Sequence, residues 1–200
     1  MATVYLAALG ALLPVTNPVF VLAAYAGMTE SFERREARRQ ALLVGLYSFI
    51  VLAAFAVLGT LVLHAFGISL YALQIAGGLV VAYAGFGMLS QREGFTSPTS
   101  NGARPDIAMC PMALPIVAGP GAIGVVIALA ARHEGVPAHL GIVFAIGTIT
   151  LGLALLLQWA TPLVTKVGPE VVSALVRVMG FLILAIGVEL VTHGVLDLPR

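Results

Sequence analysis

Of 200 residues, 60% are hydrophobic and only 10% are charged, and the mean hydropathy is +1.05. Soluble domains carry about 25% charged residues, so this chain has too little charge to coat a water-facing surface and requires lipid as its solvent. A formal net charge of +1 gives no electrostatic footprint for nucleic acid, and the single cysteine, Cys110, excludes a disulfide framework, a thiol redox pair and a cysteine metal site.

A helix needs about 20 mostly apolar residues to cross roughly 30 Å of hydrocarbon. In chain order six stretches meet that need: Val4–Gly27, Ala41–Phe66, Leu70–Leu89, Ala108–Ala131, Leu140–Leu163 and Val171–Leu190. The opening residues lack the basic start and small-residue cleavage site of a leader and read as part of the first span. Polar or turn-forming connections are expected at Thr29–Gln40, Gly67–Ser69, Ser90–Asp106, Arg132–His139 and Thr165–Glu170. The Gly-, Ser-, Pro- and Asn-rich stretch from Gln91 marks a linker over 91–107 between two halves, 1–90 and 108–200. The expected fold is therefore all-α and integral to the membrane, with three spans in each half.

Basic residues set the orientation. With the N-terminus outside, Arg34, Arg35, Arg38, Arg39, Arg92, Arg104 and Lys166 face the cytoplasm, Arg132 and Arg200 face outward, and Arg177 lies within the sixth stretch. Both termini are thus expected on the external side of the cell's inner membrane. The Arg34–Arg39 cluster reads as a topology and lipid-headgroup anchor.

The halves align at an offset of 102, which pairs Pro18 with Pro120, Gly45 with Gly147, Gly78 with Gly180 and Gly85 with Gly187. Three spans is an odd number, so the second half enters the membrane in the opposite sense. That is an inverted-topology repeat, as in transporters that work by alternating access.

The first and fourth stretches are expected to be broken. Each holds two prolines near mid-membrane, in Leu13-Pro14-Val15-Thr16-Asn17-Pro18 and in Leu114-Pro115-Ile116-Val117-Ala118-Gly119-Pro120-Gly121-Ala122. Proline lacks the backbone donor and pushes the preceding residue out of helical geometry. Irregular backbone at membrane depth is tolerated only where protein or a water-filled cavity surrounds it. The helices resuming at Pro18 and Pro120 would offer free N–H groups and a positive dipole end to a carboxylate. The alternative is a pair of simple proline kinks. The expected substrate site comprises Thr16, Asn17, Pro18, Ala118, Gly119, Pro120 and Gly121, with the glycines letting a ligand approach the backbone.

These residues resemble the MarC family of bacterial and archaeal inner-membrane proteins. The likeness runs nearly end to end and is carried by Asn17-Pro18, Ile75-Ala76-Gly77-Gly78, Pro115-Ile116-Val117-Ala118-Gly119-Pro120-Gly121-Ala122-Ile123 and Arg177-Val178-Met179-Gly180. The resemblance implies six helices, an inverted repeat and kinship with lysine-exporter-type transporters. It also implies transport of small neutral amino acids such as glycine and alanine, coupled to protons. The chain departs from the family pattern at Phe20, Gln74 and Glu189, where the family often has Gly, Arg and Gln.

Intramembrane charge is costly and usually functional. Arg177 either snorkels to the interface or faces inward to bind a carboxylate. Glu189 and His193, one turn apart, are either a surface pair or a proton-coupling site. Gln74 and Gln158 can hydrogen-bond between helices or to substrate. No Asp lies in the six stretches, and no His/Cys cluster occurs, which argues against a divalent metal as substrate or ligand. No serine in the stretches has an evident base and Cys110 lacks a partner, so enzymatic activity is not expected. The expected ligand is a small zwitterion in a lipid bilayer, without cofactor or nucleic acid, with homo-oligomerisation left open. The competing readings are an exporter of an inorganic ion or other small solute, and a non-transporting assembly protein.

Overall fold

A computed structural model describes residues 1–90, 106–133 and 135–196. Described secondary structure is helical throughout, in the order α1 (Ala2–Thr16), α2 (Pro18–Met28), α3 (Arg34–Phe66), α4 (Leu70–Leu89), a wide-wound segment Ala108–Val117, α5 (Pro120–Arg132), α6 (Val136–Leu157), α7 (Ala160–Val167) and α8 (Pro169–Leu196). Among the described residues, α3, α4, α6 and α8 each contain a stretch long and apolar enough to cross a membrane alone. The other two candidate spans are bent pairs, α1 with α2 at 43° and Ala108–Val117 with α5 at 60°. Counting each pair as one gives six, and the broken ones are the first and fourth, as expected. Most of the linker lies outside the described residues.

Several expected boundaries move: α6 begins at Val136 rather than Leu140, α8 runs to Leu196 rather than Leu190, and two others have a local cause. The Arg34–Arg39 cluster, read as part of a connection, forms the opening turns of α3. Arginine and glutamate are good helix formers, and Glu36 bonds Gln40 at 3.0 Å one turn on. The fifth stretch, expected to run to Leu163, stops at Leu157, and α7 begins afresh at Ala160. Pro162 explains the stop. In a continuous helix its ring would strike the carbonyl of residue 158. In the first turn of α7 its missing N–H belongs to a group with no intrahelical partner anyway.

Helix α3 shows how such a chain sorts its faces. Leu42, Leu46, Ile50, Val57 and Leu61 are exposed and form a bulky outward stripe. Ala41, Val44, Gly45, Ser48, Leu52, Ala56 and Gly59 are buried on the opposite side. Lipid is as apolar as leucine, so large side chains gain little by hiding, and close packing of small residues drives association instead.

The tightest case is α4 against α8, which run antiparallel. A Cβ on Gly78 would lie 2.6 Å from the Gly187 carbonyl oxygen, and one on Gly85 2.6 Å from that of Gly180. These four glycines are among those paired by the 102-residue offset. Shifting both members of the contact Gly78–Gly187 to their equivalents gives Gly180–Gly85, the second contact. Such reciprocity is what an internal two-fold relation between halves produces. Ser48 and Thr150, also 102 apart, are 0% and 2% exposed on α3 and α6, which pack together.

Candidate functional site

The first break centres on Asn17, which has φ 42° and ψ 72°, the left-handed conformation. Asparagine is one of the few residues to visit that region readily. Its N–H closes α1 on the Pro14 carbonyl at 3.1 Å. Its Oδ1 accepts from the Phe20 N–H at 3.2 Å and so caps α2, where Pro18 takes the first helical position. The remaining group, Nδ2, donates at 3.5 Å to the sulfur of Met88, a weak acceptor. One side chain thus ends a helix, starts another and keeps a donor loosely committed.

The second break is built differently. Cys110 and Leu114, each preceding a proline, take extended backbone values inside Ala108–Val117. The chain then straightens at Gly119, with ψ 173°, and α5 starts at Pro120 without a side-chain cap. The first α5 hydrogen bond runs from Ile123 N–H to the Gly119 carbonyl at 3.0 Å. The N–H groups of Gly121 and Ala122 therefore have no partner within the helix. They give this end a partial positive charge.

The two breaks meet at one cavity of about 190 Å³, walled by Asn17, Gly119, Pro120 and Gly121 together with Met88 of α4 and Ile183 of α8. That is below the usual size for drug-like ligands, roughly 300–1,000 Å³, and suits a small solute. Among the described residues, no charged side chain lines it. Three expected site residues stand beside the cavity rather than in its wall. Thr16 is buried and donates to the Leu13 carbonyl at 3.1 Å. Ala118 is fully buried against the core formed by α1, α3, α5 and α6. Pro18 holds the first position of α2.

The structure gives the glycines another reason from the one expected. A Cβ on Gly119 would lie 2.4 Å from the Pro115 carbonyl oxygen, and one on Gly121 2.2 Å from Val81 Cγ2. Their small size admits neighbouring protein atoms in this conformation. Substitution there tests the packing of the break before it tests ligand access.

Arg177, Glu189 and His193 are not brought to this cavity. Arg177 is exposed on α8, beside Glu170 and Ser173 at a shallow surface. Glu189 and His193 pair at 3.0 Å further along α8, 70% and 53% exposed. Arg177→Ala should accordingly change solute flux by less than about twofold, the usual range for a surface substitution, as measured in proteoliposomes at matched protein content. A loss of tenfold or more would return Arg177 to the transport path.

Residues that sequence reading passed over are Met88, the partner of Asn17, and Ile183, in the facing wall. Neither carries a polar signature. The Ser48–Thr150 pair was detectable, because it repeats at the same offset as the glycines.

The sequence of residues 2–198 matches the model of the MarC family integral membrane proteins. The inner membrane protein MarC of Salmonella typhimurium is 34% identical over 204 aligned positions, covering 94% of this chain and 92% of the relative. The MarC proteins of Citrobacter koseri and Escherichia coli are 34% and 32% identical with the same coverage. No solved structure matches. With the family model spanning nearly every residue, and a helical fold whose candidate spans include two broken at corresponding positions, this chain belongs to the MarC family of integral membrane proteins.

Proposed function

We propose that this protein is an inner-membrane transporter of small neutral amino acids, of the size of glycine and alanine. In this reading it works by alternating access around the two broken helices. The observation that carries it is the cavity shared by Asn17 and by the uncapped start of α5. A substrate carboxylate would take the Asn17 amide and the Gly121 and Ala122 N–H groups. Its ammonium would take backbone carbonyls freed where the chain unwinds. Net charge on the bound zwitterion is zero, which suits a wall without ionised side chains. An inorganic cation would lack counter-charge in the same place. Proton coupling is assigned to Glu189 and His193, the titratable pair on α8.

Radiolabelled glycine and alanine should accumulate in proteoliposomes when a proton gradient is imposed. Accumulation without the gradient would remove proton coupling. No uptake in either direction, from protein that is folded and correctly inserted, would remove the amino-acid reading and favour another solute or an assembly role.

The orientation proposed from the basic residues has both termini outside. Reporter fusions after Arg200 and within Ser97–Arg104 should report opposite faces of the membrane. Signals from one face would end the topology of two inverted three-helix halves.

A further inference from the structure

A second chamber lies beyond the middle of the bundle from the first. Each helical span that walls the first cavity also walls this one, displaced consistently along its axis. On the first broken span the wall passes from Asn17 to Gly10, on α4 from Met88 to Gln74, on α5 from Gly121 to Arg132, and on α8 from Ile183 to His193. Between them Gly77 of α4 and Gly124 of α5 meet backbone to backbone. A Cβ added to either would lie 3.8 or 3.6 Å from the other's Cα. That contact stands between the two chambers.

The second chamber holds about 210 Å³, close to the first, so one small solute fits both. Among the described residues its walls are apolar except for Gln74, Arg132 and His193. Gln74 is only 4% exposed, and its Oε1 has no hydrogen-bond partner. A buried acceptor left unpaired is destabilising, so a residue kept in that condition at the wall of a cavity points to a ligand that completes it. The amide oxygen asks for an N–H or O–H donor. The amide nitrogen offers donors to a carboxylate.

We infer that this chamber is a second solute site, recognising a small carboxylate that also carries an N–H donor, with Gln74 as its central contact. The inference rests on the transport reading above and deepens it. Solute is held on one side of the Gly77–Gly124 contact at Gln74 and on the other at Asn17. Passage between the two requires α4 and α5 to part there.

Thiol protection tests this without depending on flux. In a Cys110→Ser background, which removes the exposed native thiol, Ala128→Cys and Ile186→Cys each place one reporter in the chamber wall. Val136→Cys places one at the exposed start of α6, outside the chamber wall. Labelling by an impermeant methanethiosulfonate is timed with and without glycine, alanine, acetate or propionate. Glycine and alanine should slow labelling at both chamber positions and not at Val136→Cys. Adding Gln74→Leu should raise the concentration needed for half-protection by about tenfold, the size of effect expected for one lost buried hydrogen-bond partner. Protection by none of the four compounds, or protection unaltered by Gln74→Leu, overturns the second site. Glycine uptake without protection leaves the transport reading standing and removes this chamber from it. Equal protection by acetate and propionate overturns the required N–H donor, and together with no amino-acid uptake removes the amino-acid substrate as well.

Discussion

Gly187→Val should be the most damaging substitution in the protein, lowering stability by on the order of 3 kcal/mol or more, the upper end for overpacking. A Cβ at this position would stand 2.3 Å from Ala82 N, 2.7 Å from Ala82 Cα and 2.7 Å from the Gly78 carbonyl oxygen. All three are backbone atoms, so no side chain can swing aside, and α4 and α8 must separate. These helices form one wall of both chambers, so the loss should appear in unfolding and in solute binding together. Gly87→Ala and Gly152→Ala are the controls. Among the described residues, neither has an atom within 4 Å of the added carbon, and alanine is a better helix former than glycine by up to about 1 kcal/mol. The check is thermal or denaturant unfolding in detergent for the three variants. A Gly187→Val protein as stable as the unmodified chain would refute the close α4–α8 contact.

Asn17 should give the largest functional effect, and comparing two substitutions separates its roles. Asn17→Gly keeps the left-handed backbone at little cost and removes the amide. A glycine cap is worse than asparagine by only a few tenths of a kcal/mol. Asn17→Ala removes the amide and leaves its Cβ in a left-handed conformation that costs roughly 1–2 kcal/mol without the local hydrogen bond that lets asparagine adopt it. Asn17→Ala should therefore be the less stable of the two by about that amount. Both should lose solute affinity by about 5- to 150-fold, corresponding to 1–3 kcal/mol for an unsatisfied buried partner. Equilibrium binding of labelled glycine and alanine, with unfolding measured beside it, resolves the two effects. If Asn17→Gly binds and transports like the unmodified protein, Asn17 serves the backbone alone and the solute is held elsewhere.

Composition and the distribution of prolines determined the environment, the number of candidate spans and the place of both breaks. Scarcity of charge demands lipid, lipid admits only helices or closed barrels, and continuous apolar runs of about 20 residues select the helix. Proline acts through its own ring and the residue before it, so Pro18 and Pro120 could be recognised as helix starts without any knowledge of neighbours. The paired glycines were legible as a repeat, but their use was not. That Gly78 faces Gly187 and Gly85 faces Gly180, while Gly119 admits a carbonyl and Gly121 admits Val81, depends on which helices lie side by side. Tertiary structure also decided the fate of the polar residues. Arg177 and the Glu189–His193 pair carry the charge that makes a sequence reader look inward, yet all three are exposed. Helical periodicity in an almost uniformly apolar chain does not say which face meets protein and which meets lipid, because both are apolar. For the same reason the weak Asn17–Met88 contact and the unpaired Gln74 became visible only once α4 was packed against its neighbours.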